Sequence, residues 1–322
     1  MNPKRNSGEV PGTRILFDRE AAMPLVGTKP VDFNDIQALR EDAQMSLAKF
    51  ERSSDEEVSI DDELLTVEQR ELRVRTYRPR GSHHGGLLWI HGGAFTLGSP
   101  RIDDDICRHL ALKHRRIVVS PDYRLSPEHI YPAAKEDCLA ALSYLENILK
   151  ESGQNQPIAI AGASAGGNLA LETALAVAST SLNLERLILV YPVVDPSLNT
   201  ESMRKYESAP IFTAAHNRVM WDRYLTENPE NLKWHSPLSH PQLDTLPLTL
   251  VVTTEHDPLR DEGLELVRTL ISAGVSVHGV HVAGSFHAFD RFAPDSGLAR
   301  YFMAELDSFM SRELLSPVEV DT

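Results

Sequence analysis

Four short stretches of this 322-residue chain carry side chains and backbone suited to nucleophilic chemistry on a carbonyl. The most informative is Ile160-Ala161-Gly162-Ala163-Ser164-Ala165-Gly166-Gly167. It places a G-x-S-x-G pattern directly between a predicted strand and a predicted helix, the context in which a sharp turn presents a serine hydroxyl out of a sheet. Gly162 and Gly166 suit such a turn because side chains there would clash as strand and helix converge. The following helix N-terminus adds a positive dipole end, and the N–H of Ala165 is placed to receive a developing oxyanion. Upstream, His91-Gly92-Gly93-Ala94-Phe95 follows another predicted strand. Its small residues leave the N–H groups of Gly92, Gly93 and Ala94 uncovered for the same task. His91 is assigned a structural role, bonding backbone to hold that loop. Further along, Glu255, Asp257, Asp261 and Glu262 cluster as candidate acids, and His287 follows the last predicted strand.

The elements that must position these residues alternate in type. Strands are predicted at Val74–Tyr77, Leu87–Ile90, Ile117–Ser120, Ile158–Ala161, Leu187–Val190, Leu248–Val252 and Val275–Val282. Helices are predicted at Ala133–Lys150, Asn168–Ala178, Leu259–Ile271 and Leu298–Met310. Apolar strands alternating with helices imply βαβ units and an α/β fold, with a mostly parallel central sheet covered on both faces. Two regions break the alternation. Ile36, Leu39, Ala43, Leu47 and Phe50 recur at helical spacing near the N-terminus, and the acidic run Ser53–Glu63 after them reads as a solvated connection. Between Pro196 and Pro241 there is a helical segment, Ala214–Leu225, with aromatics at Phe212, Trp221, Tyr224 and Trp234 but no strand pattern. An insertion over the sheet edge fits that composition.

Composition narrows the function. A net charge of −14 supplies no basic footprint for nucleic acid or for an anionic membrane surface. Two cysteines, Cys107 and Cys138, exclude a disulfide scaffold and suit reduced thiols in a cytoplasm. No apolar run follows the N-terminal charges, so no signal peptide is expected, and the longest apolar stretch is too short to span a bilayer. No HExxH, zinc-spaced cysteine pair or phosphate loop occurs, so neither metal nor organic cofactor is expected.

With these motifs in place, the chain resembles the hormone-sensitive-lipase-like carboxylesterases of the α/β-hydrolase fold. His91–Ser99 (HGGAFTLGS) is similar to the family's oxyanion segment, with Ala94 in place of the third glycine. Asp122–Glu128 (DYRLSPE), followed by Tyr131-Pro132-Ala133-Ala134, resembles a stretch specific to that branch. Asp257–Gly263 resembles the segment carrying the triad acid, and Ser285–Phe289 the histidine loop. Position 163 departs from the family, which usually has aspartate or threonine there.

The resemblance implies a catalytic triad of Ser164, Asp257 and His287, with Glu255 as reserve acid, and an oxyanion hole from Gly92, Gly93, Ala94 and Ala165. The chain order serine, acid, histidine agrees with that fold. Asp261 and Glu262, in a helix's first turn, suit caps or dipole partners. Asp195 follows a strand one too early, and His256 and His281 are structural. The organisation expected is an N-terminal helical cap segment (1–55), a catalytic core (56–195 and 241–322) and a cap insertion (196–240). The partner is a small-molecule ester of short to medium acyl length, with no nucleic acid and no stable membrane insertion. A homodimer is compatible with the sequence. The same triad would serve an amidase or a lactone or carbamate hydrolase, and a non-catalytic ligand-binding protein is the rival from another class.

Overall fold

Each predicted strand recurs in the computed structural model, which describes residues 16–26, 32–41, 57–151, 156–225 and 236–313. Eight strands form one sheet: β1 (Val58–Val67), β2 (Arg70–Pro79), β3 (Gly86–Ile90), β4 (Ile117–Pro121), β5 (Ile158–Ala163), β6 (Leu184–Val190), β7 (Leu248–His256) and β8 (Val277–Phe286). Their spatial order is β1-β2-β4-β3-β5-β6-β7-β8. β1 and β2 pair antiparallel, as do β2 and β4, and every later pairing is parallel. The alternation of side chains along each strand divides the core in two. Leu88, Ile90 and Ile160 face the helices Ala133–Glu151, Ala165–Val177 and Arg260–Ser272. Leu87, Trp89, Ala159 and Ala161 face Asp104–His114 and Gly297–Ser311. Cys107 and Cys138 are buried free thiols in opposite layers.

The acidic connection expected over Ser53–Glu63 is corrected from Val58 onward, where the chain is strand β1. The carboxylates that suggested a solvated linker are cross-strand partners instead. Asp62 lies 2.7 Å from Arg75, directly opposite it, and Glu63 lies 2.9 Å from Arg78. An edge strand exposes one edge to water, so charges there do not break the ladder. The helix Asp104–His114 is a further element that the apolar pattern did not mark.

Strands β7 and β8 run further than their apolar cores suggested, and both extensions reach the site. β7 continues to His256 and delivers Asp257, and β8 continues to Phe286 and delivers His287. Between Thr254 and His256 the register of β7 against β8 shifts, a bulge of the kind that re-aims side chains beside active sites. Among the described residues between β6 and β7 lie the helices Glu201–Lys205 and Ala214–Leu225 and no strand. Trp234 lies outside the described residues, as do positions 42–50 of the predicted N-terminal helical pattern; residues 36–41 are helical. Among the described residues no helix is long and apolar enough to cross a membrane.

Candidate active site

A single residue separates strand β5 from the helix Ala165–Val177, and that residue is Ser164. Its backbone sits at φ 57° and ψ −122°, a region that L-residues enter only when the surroundings enforce it. The enforcement comes from close packing. A Cβ on Gly162 would stand 2.1 Å from the carbonyl oxygen of Gly166, and one on Gly166 would stand 2.1 Å from that of Ile90. Strand and helix can approach this closely only with glycine at both places. Ser164 anchors the turn by donating its N–H to Val190 O at 2.9 Å.

His287 Nε2 lies 2.9 Å from Ser164 Oγ, and its Nδ1 lies 2.8 Å from Asp257 Oδ2. Asp257 is fully buried, and Ser164 and His287 nearly so. The carboxylate is fixed from two further sides. Thr254 donates its hydroxyl to Oδ2 at 2.7 Å, and Leu259 donates its N–H to Oδ1 at 2.9 Å. A carboxylate at Nδ1 selects the tautomer with the proton on that nitrogen, leaving the Nε2 lone pair for the serine hydroxyl. The chain therefore brings together a hydroxyl, an imidazole and a carboxylate in an arrangement suited to forming and breaking an acyl ester.

The loop after β3 abuts this group. A Cβ on Gly92 would lie 3.0 Å from Ala163 O and 3.4 Å from Ser164 Cβ. Gly93 has φ 131°, and its carbonyl accepts the N–H groups of Thr96 and Leu97, both at 2.9 Å. The N–H groups of Gly93 and Ala94 have no acceptor among the described residues. Ala165 opens its helix, where first-turn N–H groups have no intrahelical partner. His91 stacks on Tyr123 at 4.2 Å between ring centres and bonds through Nδ1 to Gly92 O at 2.7 Å. Burial pushes its pKa down to about 4, so it is a neutral brace rather than a base.

A family model described as alpha/beta hydrolase fold matches residues 87–291, from β3 to beyond His287. This chain belongs to that α/β-hydrolase family. It is 35% identical over 230 residues to the arylesterase of Saccharolobus solfataricus, covering 70% of this chain and 75% of the relative. It is 31% identical over 271 residues to the ethyl acetate hydrolase of Pseudomonas putida, covering 81% and 85%. Among solved structures, a bacterial heroin esterase superposes with a TM-score of 0.86 at 31% identity, covering 94% of this chain and 99% of that one.

The remaining acids of this α/β-hydrolase serve its scaffold. Asp261 and Glu262 lie in the first turn of their helix, as expected, and their carboxylates also reach across to other segments. Asp261 accepts the N–H of Ser202, at the start of the helix Glu201–Lys205, at 2.7 Å. Glu262 is buried and accepts the N–H of Val194 at 2.7 Å, and burial pushes its carboxyl pKa well above the usual range. Asp195 closes a local turn onto Ser197. His256 bonds the carbonyl of Leu16 at 2.9 Å and His281 the hydroxyl of Thr253 at 2.9 Å, so both are structural. No group of three or more His, Cys, Asp or Glu among the described residues could hold a metal ion.

Sequence reasoning missed two side chains that touch the Ser164–Asp257–His287 group: Thr254, and Tyr191, whose ring stands edge-on to His287 at 4.9 Å. Phe212, one of the aromatics marked in the sequence between Pro196 and Pro241, lies 5.0 Å from the same imidazole. Tyr191 also donates its hydroxyl to the half-buried Asp290 at 2.8 Å. Only the periodicity of β7 could have hinted at Thr254, because the other contacts arise between distant segments. Ala163, the departure from the family pattern, is buried in the apolar layer that includes Tyr191 and Phe289.

Proposed function

We propose that this α/β-hydrolase is a serine carboxylesterase that cleaves short to medium acyl esters through an acyl-enzyme. The observation that carries the reading is His287 bonded at one nitrogen to Ser164 and at the other to Asp257. His287 takes the hydroxyl proton as Ser164 Oγ bonds the ester carbonyl carbon. The N–H groups of Gly92, Gly93, Ala94 and Ala165 receive the resulting oxyanion, and loss of one such donor costs about 3–4 kcal/mol of transition-state stabilisation. As the tetrahedral species collapses, the C–O bond to the alcohol breaks and His287 passes its proton to the leaving oxygen. Water then attacks the acyl group with His287 again as base, releasing the acid and restoring the serine. Asp257 orients the imidazole and stabilises its cation throughout.

Residues 1–55 and 196–240 act as the cap that walls the acyl pocket, a reading supported by Phe212 against His287 and Phe33 against Phe212. The short acyl end of that range is supported by the ethyl acetate hydrolase relative. A cytoplasmic setting is supported by the two buried, unpaired cysteines. The test is turnover of p-nitrophenyl esters from acetate to decanoate, together with a serine-directed phosphonate. The wild type should peak at the shorter chains and carry the adduct on Ser164, and Ser164→Ala should do neither. Turnover that survives Ser164→Ala refutes the nucleophile, and faster turnover of a matched amide reassigns the substrate class.

A further inference from the structure

Ala94 and Phe95 occupy the left-handed region at φ 53° and 54°, although neither is glycine. Two such residues in succession persist only where neighbours hold them from outside. Three successive carbonyls of this loop are each held by a different partner. Ala94 O accepts the hydroxyl of Thr96 at 2.9 Å, and Phe95 O accepts the N–H of Ser126 at 2.8 Å. Thr96 O accepts Nε of Arg40 at 2.9 Å, from the N-terminal helix over 36–41. The same guanidinium donates to Ser126 O at 3.2 Å and forms a two-pronged pair with Glu128 at 2.7 and 2.9 Å. One side chain thus ties the loop that follows β3 to the loop that follows β4.

The N-terminal segment also touches the other half of the site. Phe33 stacks on His216 at 4.3 Å and meets Phe212, which lies against His287. Residues 33–41 therefore span from Phe212, the ring against His287, to the loop expected to bind the oxyanion. Asp35 starts the intervening helix by accepting the N–H of Ala38 at 3.0 Å, which fixes the spacing between Phe33 and Arg40.

We propose that Arg40 is a positioning residue for the oxyanion loop, so that docking of the N-terminal segment sets the rate of the chemical step. The proposal rests on the serine-esterase reading above. Arg40 touches no reacting atom. It fixes the carbonyl of Thr96 and, through Ser126, that of Phe95, and so holds the N–H groups of Gly93 and Ala94 in one orientation. Lysine at this place would keep the charge toward Glu128 but lacks the planar fork that reaches two carbonyls and a carboxylate together.

The test uses the full-length chain, with kcat and KM for p-nitrophenyl butyrate and Ki for an alkyl trifluoromethyl ketone, whose serine adduct carries an oxyanion. Rates are expressed per site titrated to completion with the phosphonate. Arg40→Met should lower kcat roughly 10- to 100-fold, the scale on which small misplacements of catalytic groups act. KM should move less than about 3-fold, because the interaction is made in the transition state. Ki for the ketone should weaken by the same factor as kcat/KM falls. Arg40→Lys should lie between the two, and Glu128→Gln should show a smaller loss, since Arg40 keeps its carbonyl bonds. Wild-type kcat per titrated site in Arg40→Met, or a loss of kcat with unchanged Ki, overturns the proposal. If Arg40→Met loses its circular dichroism signal, Arg40→Lys decides by the same comparison of kcat with Ki. A wild type that neither turns over nor labels refutes the esterase reading and this inference with it, whereas an active wild type with indifferent Arg40 variants refutes this inference alone.

Discussion

Glu255 turns its carboxylate to the backbone of Gly284, accepting that N–H at 2.7 Å, and so is committed away from His287. Asp257, two residues on, holds the imidazole instead. The two acids therefore separate by experiment. Asp257→Asn should lower kcat by about 10⁴-fold, because the amide can no longer select the productive tautomer. Glu255→Gln should leave kcat within about 3-fold and cost at most about 1 kcal/mol of stability. Steady-state rates and urea melts on both variants check this.

Gly166 packs its α-carbon against Ile90, so Gly166→Ala should cost more than about 3 kcal/mol or prevent folding. Gly279 is the matched control, since a Cβ there would meet Val267 at an ordinary 3.4 Å. Gly279→Ala should change stability by no more than about 1 kcal/mol. Thermal unfolding of the pair distinguishes close backbone approach from a general intolerance of substitution.

His91 is neutral in the fold, with its pKa near 4, and titrates at about 6.5 when unfolded. A depressed histidine pKa means that the unfolded state takes up the proton first. Stability should therefore be intact above about pH 6.5 and fall toward pH 4, by on the order of 3 kcal/mol from this group. His91→Asn should be less stable at pH 7 by about 1 kcal/mol. Its stability should depend less steeply on pH between 6.5 and 4, as denaturant melts across that range would record.

Glu262 shows the opposite sign. Its carboxyl pKa is raised by burial, so the fold favours the protonated form and loses stability as pH rises above the ordinary glutamate range. Glu262→Gln keeps an oxygen for the N–H of Val194 and removes the titration. Its melting temperature should exceed the wild type's by roughly 2–4 °C at pH 8, and the difference should shrink toward pH 4.

The sequence alone determined the alternation of strands and helices, the serine on its turn and the order of the reactive residues. These are local signals: G-x-S-x-G needs only its own glycines, and a buried parallel strand announces itself as an apolar run. Strand β1 escaped because its carboxylates are neutralised by arginines of β2, a partnership that exists only after pairing. The choice between Asp257 and Glu255 was likewise undecidable from spacing. It turns on which partner each carboxylate meets after folding, His287 for Asp257 and the backbone of Gly284 for Glu255. Only the tertiary structure brought Tyr191 and Phe212 to His287 and Arg40 to the loop that follows β3. Contacts between segments far apart in the chain are fixed by packing, and packing leaves no period or motif in a linear sequence.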